Sequence, residues 1–361
     1  ERRSLVKNDR IAVAMSGGVD SSVAAALLKR QGYDIFGIML RLWSEPGQDN
    51  NGQNRCCSPA SVSRARQVAA ILDIPFFVID SREEFHKNVV QFFIDKYSAG
   101  LTPNPCLECN RNIRWGHLMH KALSMGATRI ATGHYARIIQ NEDKWQLLRG
   151  HDNNKDQSYA LSMLGQSDLK RTLFPIGSYT KNKIRSLASD FALPVAQRQD
   201  SQDLCFLADK DYRRFMHDYA PESLNPGPIM NSSGETLGQH KGLPLYTIGQ
   251  RKGIGISAPE PLYVLSKNQS DNTLIVDKLS KLGKSHLKAK NVNWISGTTT
   301  KDKIRAEVQI RYTAKAVGAW IKPIDDNEVE VEFDHQINDI TPGQAAVFYQ
   351  DSVCLGGGVI D

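Results

Sequence analysis

The stretch Ser16-Gly17-Gly18-Val19-Asp20-Ser21-Ser22 most constrains what this chain can fold into. The apolar run Ile11-Ala12-Val13-Ala14-Met15 precedes it, and Val23-Ala24-Ala25-Ala26-Leu27-Leu28 follows. The first run reads as a buried parallel strand and the second as an Ala-rich helix. A strand, a glycine turn and a helix start together make a place for phosphate, because the first helical amides lack internal partners and the helix dipole favours negative charge there. Gly17 and Gly18 let the backbone approach a ligand. Ser16, Ser21 and Ser22 offer hydroxyls, and Asp20 is read either as a helix cap or as a Mg²⁺ ligand. The GxxxxGK[ST] spacing is missing, and with it the lysine that would reach the β- and γ-phosphates. A loop of this kind suits gripping pyrophosphate while the α-phosphate is attacked.

The rest of the first half alternates strand-like and helix-like segments. Strand candidates are Ile35 to Leu40, Pro75 to Ile79 and Arg129 to Thr132, and helix candidates are Ser61 to Leu72 and Glu83 to Tyr97. This alternation predicts an α/β, doubly wound parallel sheet, with ligands at the C-terminal strand ends where Gly133-His134 also falls. The alternation fades after about residue 208, and Pro221 to Pro228 reads as a linker. Beyond Leu287 short β patterns dominate: Arg305 to Ile321 alternates in part, Val329 to Phe333 strictly, and Ala345 to Ile360 forms a further strand region. The expected architecture is a nucleotide-binding domain (1–210), a small mostly-β central domain (211–282) and a C-terminal antiparallel β-barrel (283–361).

At 361 residues the chain can bury two or three cores, and no apolar run approaches the length of a membrane span. A net charge of +6 permits a nucleic-acid partner. Six cysteines in a chain of this size make no disulfide scaffold, which points to a reducing compartment. Cys354, in a strand-like run, reads as a small buried hydrophobe. Cys106 and Cys109 form a CxxC beyond Pro103 and Pro105, open to reading as half a zinc site, a redox pair, iron–sulfur ligands or a nucleophile with a neighbour. Cys205 ends the polar cluster Asp200-Ser201-Gln202-Asp203-Leu204. Cys56-Cys57 read as incidental thiols, and Gly249-Gln250-Arg251-Lys252-Gly253 as a basic turn or a phosphate-meeting loop.

SGGVDSS, TPNPCxxCN, ATGHY, KDQSY, SQDLCF, YTIGQRKGIGI, IRY and TPGQAAVFY occur in this order from about residue 10 to the C-terminus. Together they resemble the tRNA-specific 2-thiouridylases, the MnmA/TrmU family within the ATP pyrophosphatase-loop superfamily. The resemblance implies ATP-dependent replacement of the C2 oxygen of the wobble uridine by sulfur, in Glu-, Gln- and Lys-type tRNAs. It implies that Ala14, Met15, Ser16, Gly17, Gly18, Val19, Asp20, Ser21, Leu40 and Gly133 bind ATP, with Mg²⁺. His134, Lys155, Asp156, Gln157, Arg311, Tyr312 and Gln344 match tRNA-binding positions. Cys109 matches the nucleophile and Cys205 the persulfide carrier, loaded by a sulfur carrier or cysteine desulfurase and ending in a Cys109–Cys205 disulfide. Many family members have Asp where this chain has Cys106, so Cys106, Cys109 and Cys205 are also candidate ligands of a 4Fe–4S cluster. The cytoplasm is the expected compartment, or an organelle matrix or stroma if the N-terminus was trimmed. Two other classes remain: an amide-forming ATP pyrophosphatase such as an NAD or GMP synthetase, and an RNA-binding protein with a decayed nucleotide site.

Overall fold

A computed structural model describes residues 9–45, 58–198, 204–209 and 211–361; Cys56 and Cys57 lie outside them. Strands β1 (Arg10–Ala14), β2 (Asp34–Arg41), β3 (Phe76–Asp80), β4 (Arg129–Ala131) and β7 (Thr172–Leu173) form one parallel sheet in the order β3-β2-β1-β4-β7. β1 is central, so both its faces are buried, and its residues divide by parity. Ile11 and Val13 pack with helices α1 (Val19–Arg30), α2 (Pro59–Ile71) and α8 (Lys181–Asp190), whereas Ala12 packs with Phe36, Ile38 and Ile130 on the opposite face. The order reverses direction at β1, which opens a crevice between the C-terminal ends of β1 and β4.

Helix α2 begins two residues before the expected Ser61. Ser58 accepts from the Ser61 amide as N-cap, and Pro59 occupies the first turn, where its missing N–H costs nothing. The predicted helix at Glu83 to Tyr97 is one run made of α3 (Arg82–Phe85), a π-helical turn His86–Val90 and α4 (Gln91–Ser98). A second run links α5 (Pro105–Glu108), a π-helical stretch Cys109–Leu118 and α6 (Met119–Ser124). α7 (Gln166–Lys170) precedes β7, and α9 (Tyr212–Tyr219) leads into the second half.

Pro221–Pro228 is not a bare linker: Pro221–Ser223 is a 3₁₀ turn, and Gly227 and Pro228 open strand β8. Strands β8 (Gly227–Met230), β9 (Thr236–His240), β10 (Tyr263–Asn268) and β11 (Thr273–Asp277) form a sheet ordered β10-β11-β8-β9 over a core of Ile229, Leu243, Val264 and Val276.

The last six strands are β12 (Lys284–Trp294), β13 (Ile304–Gln309), β14 (Val317–Pro323), β15 (Glu328–Ile337), β16 (Ala345–Gln350) and β17 (Val353–Ile360). They run β12-β15-β14-β13-β16-β17, and β17 returns to β12, closing an antiparallel barrel. Val329, Val331 and Phe333 are buried in its core, with Glu330 and Glu332 between them. The stretch Arg305 to Ile321 is two strands, β13 and β14, which explains its partial alternation.

One feature escaped sequence reading. A hairpin in the first half, β5 (Ala136–Asn141) and β6 (Lys144–Arg149), joins the barrel sheet, with Leu148 opposite Val353 and Leu147 opposite Cys354. Ala136 and Leu147 therefore share a core with Trp115, Tyr159, Val347 and Tyr349. Cys354 is buried there as expected, and burial pushes its thiol up to about 12.

Candidate active site

The phosphate loop leaves β1 with the Met15 amide donating to Ile38 O at 2.8 Å. Gly17 sits at φ +68°, and a Cβ there would lie 2.4 Å from Ser61 O at the start of α2. Gly133, just after β4, passes so close that its Cβ would lie 2.6 Å from the Ser21 amide nitrogen. Both positions need glycine for close backbone approach. Ser22 Oγ donates to Gly18 O at 2.7 Å and the Ser16 amide donates to Ser21 Oγ at 3.1 Å. The Ser16 hydroxyl also lies 3.3 Å from Ser21 Oγ, so all three expected hydroxyls brace the loop, although Ser16 remains exposed.

Asp20 does not cap the helix: Gly18 is the N-cap, without a side-chain bond. Lys181 Nζ instead donates to both Asp20 oxygens at 2.8 Å, and Tyr135 Oη donates to Oδ1 at 2.7 Å. Lys181 lies 161 residues downstream, at the first turn of α8, and only the fold brings it here. Arg198 and Arg64 were missed for the same reason. Arg198 Nη1 donates to Gly17 O at 2.5 Å, and Arg64 Nη2 donates to Ser61 Oγ at 2.9 Å.

Leu40, at the end of β2, packs against two clusters, one under the sheet and one holding the thiols. Cys109 and Cys205 are half-buried, and both pack on the cluster of Phe85, Val89, Phe93, Ile113, Phe206 and Phe215. Phe206 anchors Cys205, its ring 5.2 Å from Phe93 and 5.7 Å from Phe215. Beyond it, buried Glu45 accepts from the Ala208 amide at 2.8 Å and pairs with Arg214 at 2.8 Å. Cys106 is exposed in the first turn of α5, where Asn104 caps its amide at 3.1 Å. Among the described residues no three His, Cys, Asp or Glu side chains gather as metal ligands, these cysteines included.

The TPNP turn carrying the cysteines is held by the barrel. The Thr102 amide donates to Pro342 O at 2.9 Å, and Gln344 Nε2 donates to Thr102 O at 2.8 Å and Pro103 O at 3.3 Å. Tyr159 Oη donates to Ala345 O at 3.0 Å. Arg311 Nη2 donates to Thr341 Oγ1 at 2.6 Å and to Ile248 O at 3.1 Å, tying barrel to central sheet. Tyr312 is 48% exposed, with its ring 6.2 Å edge-on to Tyr159. Desolvation of its partly covered ring raises its phenol first, and the charges of Asp156 and Cys106 add to this.

The other residues matched to tRNA contacts are deeper. Asp156 accepts from the amides of Gly150 (2.8 Å) and Ser158 (3.1 Å), while Gln157 Oε1 accepts from the Tyr135 amide at 3.0 Å. Lys155 is half-buried at the same turn. His134 is buried, between Arg114 Nη1 at 2.6 Å from Nε2 and Thr132 Oγ1 at 2.7 Å from Nδ1. A guanidinium has only donors, so Nε2 accepts and Nδ1–H donates to Thr132. Burial, then the Arg114 charge, hold this imidazole neutral, well below its usual pKa. In the GQRKG turn, Gln250 closes the loop through Thr247 and Lys252, leaving Arg251 and Lys252 exposed.

A parallel sheet with a lysine-free glycine loop at its switch point, followed by two β domains, defines a nucleotide-using enzyme of the HUP class. Residues 9–209 match the family described as tRNA methyl transferase HUP domain. Residues 213–278 match its PRC-barrel domain and 284–360 the aminomethyltransferase beta-barrel domain. The chain is 42% identical over 352 residues to a tRNA-specific 2-thiouridylase MnmA of Clostridium perfringens, covering 98% of both chains. It is 45% identical to that of Moorella thermoacetica, over 97% of this chain and 98% of the relative. The chain belongs to the tRNA-specific 2-thiouridylases, which are tRNA sulfurtransferases. Among the described residues, no helix is long and apolar enough to cross a membrane.

Proposed function

We propose that this chain thiolates C2 of the wobble uridine in Glu-, Gln- and Lys-type tRNAs, in the cytoplasm, with ATP as activator. One observation carries the reading: Cys109 and Cys205, 96 residues apart, pack on the same apolar cluster, which Leu40 joins to the end of the nucleotide sheet. The HUP description speaks of methyl transfer and the relatives' names of thiolation. Thiols beside a pyrophosphate-type loop suit the second, because methyl transfer from a sulfonium donor needs no site that releases pyrophosphate.

In this reading Ala14 to Ser21, Leu40 and Gly133 hold ATP, and the C2 oxygen attacks its α-phosphate. Pyrophosphate leaves against the loop amides, and the oxygen becomes part of AMP, a good leaving group. Cys205, carrying a persulfide from an external sulfur carrier or desulfurase, attacks C2 through its terminal sulfur and expels AMP. Cys109 Sγ then attacks Cys205 Sγ. The old S–S bond breaks, its electron pair stays with the sulfur on C2, and a Cys109–Cys205 disulfide forms for an external reductant. Exposed Tyr312 offers a face on which a flipped base stacks. His134, Lys155, Asp156, Gln157, Arg311 and Gln344 support this surface, several of them by fixing its backbone.

Asp20 is not arranged as a Mg²⁺ ligand, since both its oxygens bind Lys181. The three cysteines likewise do not form a ligand set. No step is therefore routed through either metal centre. The test is to incubate the protein with ATP, a small-molecule persulfide and unmodified tRNA, then digest and weigh the nucleosides. The expected product is 2-thiouridine with one AMP and one pyrophosphate. ATP cleavage with no thionucleoside would overturn the proposal.

A further inference from the structure

The phosphate loop lacks its own lysine, and Lys181, a lysine that reaches the loop from α8, has its charge taken up by Asp20. Two guanidinium groups from distant segments converge on the other side of the loop. Arg198 Nη1 donates to Gly17 O at 2.5 Å, and its Nη2 stands 3.5 Å from Ser61 Oγ. Arg64 Nη2 meets the same hydroxyl at 2.9 Å. Ser61 is no remote intermediary, because its carbonyl lies against Gly17 in the space a Cβ would take. Two cations and the N-terminal turn of the 13-residue helix α2 thus flank the amides that open α1.

Arg64 makes no ion pair among the described residues. Its one hydrogen bond goes to the neutral Ser61 hydroxyl, and its Nε is buried without a partner. Guanidinium forks suit the paired oxygens of phosphates, and such charge-assisted bonds are the strong ones.

We propose that Arg64 and Arg198 clamp the β- and γ-phosphates of ATP, supplying from outside the loop the cations that the loop lacks. The proposal rests on the ATP-activating reading above and deepens it. The clamp recognises the leaving pyrophosphate and stabilises the charge that builds on it, while the α-phosphate, ribose and base are held elsewhere.

The test measures calorimetric affinity of the full chain for ATP, for inorganic pyrophosphate and for AMP, in wild type, Arg64→Gln, Arg198→Gln and Arg64→Lys. Each Gln variant should bind ATP and pyrophosphate about tenfold to a hundredfold more weakly, the loss expected for a charged hydrogen bond, with AMP affinity within about twofold. Arg64→Lys should recover part of the ATP affinity. Arg198 also braces Gly17, so if Arg198→Gln fails to fold, Arg64→Gln carries the test. Equal losses for ATP and AMP would reduce these residues to loop supports and overturn the clamp, as would unchanged ATP affinity. Wild-type protein that binds AMP but gains nothing for ATP, and ignores pyrophosphate, would overturn the clamp alone. Wild type that binds none of the three would overturn the ATP reading itself.

Discussion

The phosphate loop and the thiol loop are both short turns entering a helix, yet they are held in opposite ways. The phosphate loop is braced mostly by its own serines and the neighbouring strand, through Ser22 to Gly18, Ser16 to Ser21 and Met15 to Ile38, with Arg198 on Gly17 and Lys181 on Asp20 as supports from farther along the chain. The thiol loop is held from the far end of the chain, where Gln344 reaches Thr102 across 242 residues. A loop that carries most of its own supports presents a recognisable string of residues. A loop held by another domain presents only its reactive atoms, and its supports look like substrate contacts. Changes near the first should alter ATP chemistry, and changes in the barrel should alter sulfur chemistry without touching ATP.

The largest effect should come from the thiols. Cys109→Ser and Cys205→Ser should each lower 2-thiouridine formation by about a thousandfold or more, because each supplies a sulfur that no neighbour replaces. Pyrophosphate release should persist in both, separating the two loops' functions. Cys106→Ser should retain activity, and the protein purified without oxygen should hold no iron. Four irons per chain, lost together with activity in Cys106→Ser, would show that the thiols converge on a cluster and break the contrast.

Next comes Asp20→Asn, which keeps the shape but removes the charge facing Lys181. Pyrophosphate release should fall about a hundredfold as the pair that orders the loop is lost. Lys181 is only 11% exposed and Asp20 32%, so stability should fall too, by about 1–3 kcal/mol after allowance for the partial exposure. A variant with full turnover would place Asp20 outside the chemistry.

Gln344→Ala sharpens the comparison at lower amplitude. Both amide protons of Gln344 go to Thr102 and Pro103 carbonyls, so it has none left for a phosphate. Sulfur transfer should slow about tenfold, the cost of loosening a positioned nucleophile, with KM for ATP and affinity for tRNA unchanged. Weaker tRNA binding with normal transfer would return Gln344 to the substrate surface that the resemblance implied.

This asymmetry also decides what was legible in advance. β1, the glycine turn and α1 were readable because period, composition and loop chemistry agree over twenty consecutive residues. The strict alternation of Val329 to Phe333 exposed one barrel strand for the same reason. The β5–β6 hairpin was not legible: its half-exposed strands carry no continuous apolar face, and its partner β17 lies two hundred residues away. Lys181, Arg64 and Arg198 sit on stretches that read as ordinary polar helix and turn. Nothing local marks a cation that serves a loop on another strand. Asp20 was readable as a site residue but not in its role, because its partner is set by tertiary structure alone.

The smallest effect belongs to the link between the two regions. Arg114, on the helical run that begins at the thiol loop, donates to His134, which follows β4 of the nucleotide sheet. Thr132, Trp115 and Phe174 surround this imidazole, and among the described residues Arg114 is the charged group that faces it. Protonation would set imidazolium against guanidinium in a buried space, so the folded-state pKa lies well below the ordinary 6.5. Above about pH 6.5 the ring is neutral in both folded and unfolded chains and contributes no pH dependence. Below it the unfolded chain takes up a proton that the folded chain refuses, so stability falls as the medium acidifies. His134→Gln keeps an acceptor for Arg114 and removes the titration. Urea unfolding between pH 7.5 and 5 should show wild type losing about 1.4 kcal/mol per pH unit more than the variant below pH 6.5, one proton's worth. Parallel curves would mean that His134 takes its proton in the folded protein, and that the link between the sheet and the thiol helix is not built on a neutral ring.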